Sequence, residues 1–195
     1  ALKMPSVAGS SSHLTGTTLG TLTIGPMAMP LVGAIVLLFQ ALLLAHGGIS
    51  TLGANIFSLS IAGPFVAYAL YRLLTSARLP KNLVIFIATF CGSMATYIVT
   101  SFQLAVVYPD TVTGVMGAAW KFLGIFAITQ VPLSIIEGIL TVIVLRLLEK
   151  SQAKTATSVE ASSTQTSTKS SLRPQFIWLS ILAVVCLALP ILAGL

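Results

Sequence analysis

Charged side chains are scarce in this chain. Four Asp or Glu and ten Lys or Arg make up 7% of its 195 residues, where a soluble domain carries about 25%. With 56% of residues hydrophobic and a mean hydropathy of +1.01, that scarcity excludes a soluble globular protein and identifies an integral membrane protein. Cysteine is nearly absent too: Cys91 and Cys186 fall inside apolar runs with no ligand partner nearby, and both read as structural. No Gly-x-x-x-x-Gly-Lys-Ser/Thr phosphate loop occurs, which excludes the chain as an ATPase. The opening Ala1-Leu2-Lys3-Met4-Pro5 shows neither an initiating Met nor a secretory signal, so the beginning of the protein is expected to be missing.

What is there is organised by apolar length. Residues 14–26 are apolar with Thr and Gly interspersed and end at Gly25-Pro26. They are too short for the ~20 residues that cross a bilayer, and predict a short helix buried among others. Residues 27–45, 52–74, 83–107 and 119–148 are each long enough to span, as is the final run 176–195. The fold class is therefore all-α, a polytopic transmembrane helical bundle in the cell membrane. Residues 150–173, rich in Ser, Thr, Gln and Ala, bury too little to fold and predict a flexible linker, which makes 176–195 an appended span.

The formal charge of +6 clusters in two polar stretches, which bears on orientation in the bilayer and not on nucleic acid. Arg72, Arg78 and Lys81 lie between the second and third long spans, and Lys150, Lys154, Lys169 and Arg173 follow the fourth. Both stretches are expected on the cytoplasmic side. Threading backward through the spans then puts His13 and His46 together on the external face.

Five places carry groups with chemical potential. His13 sits among Gly and Ser neighbours that allow a sharp turn and leave the imidazole accessible to a borderline-soft divalent ion; taken alone, it reads first as an interfacial histidine bonded to a backbone carbonyl. The serines beside it, Ser10 to Ser12, have no orienting carboxylate, which argues against hydrolysis. His46, before Gly47-Gly48, reads as a cap on the carboxy terminus of its helix or as a supporting metal contact. Asn55, near the start of the next helix, reads as a cap or as a support for the ligand loop. Glu137 lies well inside an apolar span with Gln130 seven positions earlier on the same face. A buried carboxylate in a membrane demands a partner or a function, and the bland reading is a hydrogen bond to a neighbouring helix, through Gln130 or Gln40. Asp110, after Tyr108-Pro109, reads as a turn residue.

Two stretches carry a resemblance: Gly9-Ser10-Ser11-Ser12-His13-Leu14-Thr15-Gly16-Thr17-Thr18-Leu19-Gly20 and Leu44-Ala45-His46-Gly47-Gly48-Ile49-Ser50-Thr51-Leu52-Gly53-Ala54-Asn55. Over roughly residues 1–150 the chain resembles the CbiM/NikM family, the substrate-binding membrane subunits of energy-coupling-factor transporters for cobalt and nickel. The resemblance implies a CbiM/NikM-like metal-binding domain over 1–149, a linker over 150–175 and an additional transmembrane helix over 176–195. It also implies a metal held mainly by a terminal Met-His, through its amine, a deprotonated amide and an imidazole. A further histidine, here His13 with Ser12 beside it, completes a near-planar nitrogen set that suits nickel or low-spin cobalt. The Met-His start is absent here, so His13 alone of that ligand set carries over.

Cobalt or nickel would be the transported substrate, with no organic cofactor. The partners implied are a CbiQ/NikQ-like coupling subunit, CbiO/NikO-like ATPases and a CbiN-like small subunit, whose first helix the tail around Trp178 resembles. The tail favours cobalt, for cobalamin biosynthesis, over nickel. Two other functions stay open: a non-catalytic membrane scaffold, and a secondary transporter with Glu137 as its thin candidate for a coupling site.

Overall fold

The structure, a computed structural model, describes residues 14–43 and 48–153 with their side chains, and the backbone of 4–5, 11–12 and 154–163. Two compact units divide the chain. One, Met4–Val144, holds every residue discussed below except the end of the last helix, which belongs to the other, Ala1–Lys3 with Leu145–Leu195.

Two-residue strands β1 (Met4–Pro5) and β2 (Ser11–Ser12) pair antiparallel, with Met4 opposite Ser12. Helices follow: α1 (Thr17–Ile24), α2 (Met29–Leu43), α3 (Leu52–Asn55) continuing as a π-helical stretch over Ile56–Ala62, α4 (Gly63–Ser76), α5 (Lys81–Val107) and α6 (Gly114–Ser163). Three helical stretches, Leu52–Ser76, Lys81–Val107 and Gly114–Ala153, are long and apolar enough to cross a membrane. This is the expected all-α membrane bundle, with the small β pairing added at its start.

Glycine and proline set the boundaries. Gly25, with φ 97°, ends α1 and donates its N–H to the Thr21 carbonyl. Pro30 sits in the first turn of α2, where a missing N–H removes no intrahelical bond, and Pro64 lies where the π-helical stretch passes into α4. Between α5 and α6, Asp110 Oδ1 accepts the N–H groups of Val112 (2.9 Å) and Thr113 (3.3 Å), and Gly114 closes the turn at φ 64°. That is the turn role expected of Asp110.

Two boundaries differ from the sequence reading. Described α2 has 15 residues, shorter than the 27–45 span expected; residues 44–47 lie outside the described residues. At the other end, α6 stays helical to Ser163, through the first part of the stretch read as a linker from 150. Ala, Glu, Lys and Gln in that stretch are good helix formers, and extending a helix already nucleated by an apolar span fixes only one residue at a time. Residues 164–195, with the expected additional span, lie outside the described residues.

Small and polar residues make up much of the interior, alongside the larger Met29, Val84, Ile85, Phe126 and Leu133. Ala67, Ala88, Ala105, Ala118 and Ala119 are buried beside Thr18, Thr21, Ser58, Thr89, Ser93, Thr96 and Ser134, while Leu31, Leu43, Trp120 and Ile128 point outward. In lipid there is no hydrophobic gain from putting leucines inside, so association relies on close backbone approach and internal hydrogen bonds. Threonines satisfy themselves on their own helices, as in Thr21 to the Thr17 carbonyl (2.7 Å) and Thr89 to that of Ile85 (2.8 Å). Helix α1 is the short buried helix expected of residues 14–26, packed on α2, α4 and α5.

Candidate functional site

Glu137, midway along the described part of α6, is 3% exposed. Its Oε1 accepts two hydrogen bonds from consecutive residues, Thr15 Oγ1 at 2.5 Å and the Gly16 N–H at 2.8 Å. Its Oε2 accepts from Ser93 Oγ of α5 at 3.1 Å. Ser134, one turn earlier on α6, shares its hydroxyl proton between Ser93 Oγ (2.9 Å) and the Gln130 carbonyl (2.8 Å). One carboxylate thus joins the residues leading into α1 to both α5 and α6.

The energetics of this arrangement are those of a buried anion without a cation. Among the described residues no Lys, Arg or His contacts Glu137, and its charge is met by three donors and by the amino end of α1. A helix amino terminus carries partial positive charge and unpaired N–H groups, so this is where a carboxylate is least costly to bury. Gly16 makes the geometry available: it adopts φ 64°, ψ 8° at the N-cap, a left-handed conformation that turns its N–H toward Glu137 while its carbonyl accepts the Gly20 N–H at 3.1 Å.

His13 and His46 lie outside the described residues. Ser12 is placed by its backbone in β2 opposite Met4, two residues from the described Leu14. Asn55 lies in the opening turn of the continuous helical stretch Leu52–Ser76: its Nδ2 donates to Thr51 Oγ1 at 3.5 Å, and Thr51 Oγ1 to the Gly48 carbonyl at 3.4 Å. That chain of contacts runs back to Gly48, two residues after His46 in the sequence. Glu137 is bonded to a neighbouring helix, as the bland reading required, but through Ser93 and not through Gln130 or Gln40. Among the described residues, no group of three or more His, Cys, Asp or Glu is placed to hold a metal.

Thr15, Gly16, Ser93 and Ser134 were not identified from sequence. A signal existed in part: Thr89, Ser93 and Thr96 on α5, and Ser134, Glu137 and Thr141 on α6, recur at helical spacing and are all buried. At the loop that joins α5 to α6, Lys121 pairs with Asp110. The Lys121 ammonium, then the N–H groups of Val112 and Thr113, hold the Asp110 carboxyl well below the usual carboxylate range.

Residues 1–155 match the family model of CbiM, the cobalt uptake substrate-specific transmembrane region. The chain belongs to the CbiM family. Cobalt transport protein CbiM of Acetoanaerobium sticklandii is 55% identical over 152 residues, covering 78% of this chain and 62% of the relative. That of Thermosediminibacter oceani is 58% identical over 149 residues, covering 76% and 61%. This CbiM-family chain therefore spans about six-tenths of the length of these curated relatives. Two solved structures are similar: a truncated transition metal transporter (30% identity, TM-score 0.65, 76% of this chain and 73% of the other) and a transition metal transporter (27%, 0.69, 85% and 76%). Family and helices together make this a multi-pass membrane protein of a transport family rather than an enzyme family.

Proposed function

We propose that this chain is the metal-capturing membrane component of an ATP-driven cobalt importer, with His13 as a metal ligand on the external face. Transport would need a coupling subunit and ATPase subunits, since the chain carries no phosphate loop of its own. The observation that carries the reading is the clamp of Glu137 on Thr15 and Gly16, two and three residues after His13. A capture site needs its ligands held before the metal arrives, and a chain rich in Gly, Ser and Thr has no stiffness of its own to do so. Neutral imidazole suits cobalt, and capture would weaken in acid as the imidazole protonates.

The test is calorimetric titration of cobalt and, separately, nickel into the protein carrying its natural amino terminus, alongside His13→Ala and His46→Ala. His13→Ala should abolish tight binding with unfolding unchanged, and His46→Ala should weaken it far less. Preference for nickel would reassign the cargo. Failure of the parent protein to bind either ion would remove the capture reading, and a silent His13→Ala would remove its ligand.

A further inference from the structure

The geometry points to Glu137 as a positioning residue for metal capture: its carboxylate, through Thr15 and Gly16, fixes the path by which the chain leaves α1 toward His13. This rests on the capture reading above and adds to it a residue of α6, 124 positions from His13 in the sequence.

Three observations carry it. First, the two bonds to Oε1 come from a side chain and from the backbone of the next residue, so they restrain both the rotation of Thr15 and the peptide joining it to Gly16. Only Leu14 separates Thr15 from His13. Second, the anchor is stiff: Oε2 is tied to Ser93, Ser93 to Ser134, and Gly138, next to Glu137, packs so tightly that an added Cβ would lie 2.7 Å from Phe86 of α5. Third, a carboxylate is an expensive anchor. Packing α5 on α6 would be served as well by apolar groups of the same size, because a buried charge without a cation must recover its whole desolvation from fixed donors. The carboxylate supplies what an apolar group cannot, strong hydrogen bonds to an otherwise pliant stretch of chain. Groups that orient metal ligands without touching the metal typically set affinity by about 10- to 100-fold.

The experiment compares Glu137→Gln, Glu137→Ala and Thr15→Val with the parent protein, all with the natural amino terminus, using cobalt(II) alone as probe. Three readouts are taken: cobalt affinity by calorimetry, the ligand-field spectrum at saturation, and amide hydrogen exchange without metal. Gln at position 137 still accepts the Gly16 N–H but carries no charge, so its affinity should fall by about 10-fold, and that of Ala by about 100-fold. Thr15→Val leaves the carboxylate in place and should fall by about 10-fold, which keeps the test valid if the Ala variant does not fold. In each variant the spectrum at saturation should change, and exchange should quicken over residues 14–24 with α5 unchanged. The proposal is overturned if Glu137→Gln and Thr15→Val both bind as the parent does. It is equally overturned if affinity falls only in step with lost protection across α5 and α6 while the saturated spectrum is unaltered. If the parent itself bound no cobalt, the capture reading would fail instead, which is a separate result.

Discussion

Thr15 and Glu137, 122 positions apart in sequence, are joined by a 2.5 Å hydrogen bond from Oγ1 to Oε1. The residues before α1 have little conformational preference of their own, so their placement is imposed by a carboxylate that is positioned only once α5 and α6 have packed. The order of the loop is thus a property of the bundle.

Gly16→Ala tests the backbone side of this contact. No atom lies within 4 Å of the Cβ it would add, so its cost comes from the left-handed φ of 64° alone. It should destabilise by about 1–2 kcal/mol. Gly124→Ala, in α6 with equally open surroundings, should stabilise by about 0.5–1 kcal/mol. Denaturant unfolding in detergent gives both values, and equal effects would show that the Gly16 conformation is not needed.

Gly92 sits where α1, α4 and α5 meet. A Cβ there would fall 2.7 Å from Ala67 Cβ and 3.2 Å from both the Gly63 carbonyl and Thr18 Oγ1. Neither Ala67 Cβ nor the Gly63 carbonyl can swing away, so Gly92→Ala should cost about 1–3 kcal/mol by overpacking. Combining it with Ala67→Gly should recover part of that loss in a double-mutant cycle; strict additivity would show that the helices simply move apart.

Asp110 makes stability depend on pH in a defined sense. Its carboxyl titrates lower in the folded protein than in the unfolded chain, because Lys121 and two backbone N–H groups favour the anion. The stabilisation is therefore complete above the ordinary carboxylate range and is lost as pH falls through that range toward the lower folded value. Asp110→Asn should lower the unfolding midpoint at neutral pH, and the difference from the parent should shrink in strong acid. A difference that grew on acidification would reverse the assignment.

Orientation is open to labelling in a background lacking Cys91 and Cys186. Val112, 89% exposed in the loop between α5 and α6, should react as Val112→Cys with an impermeant reagent added to intact cells. Gln152→Cys, beyond the basic end of the last described span, should be shielded. The opposite pattern would overturn the orientation and with it the external placement expected of His13.

Glu137 shows where legibility stopped. Its sequence setting, one carboxylate inside an apolar run, was enough to demand a partner, because bilayer desolvation is costly for any carboxylate wherever it packs. Which partner it has was not readable. Thr15 and Gly16 look like ordinary loop residues, and Gln130 and Gln40 looked like better donors; the choice depends on how α1 sits against α5 and α6. Asn55 fared similarly, with its residue type pointing to a polar contact and the fold deciding that Thr51 receives it.

By itself the sequence determined the membrane setting, the helical class, the turn at Asp110 and the short helix after His13, because these follow from local composition and the length of apolar runs. Tertiary structure alone decided that small residues and hydroxyls meet in much of the interior, and that one buried carboxylate holds Thr15 and Gly16. These are outcomes of packing between distant segments, and in a bilayer the small residues that allow it carry no hydrophobic pattern from which the pairing can be read.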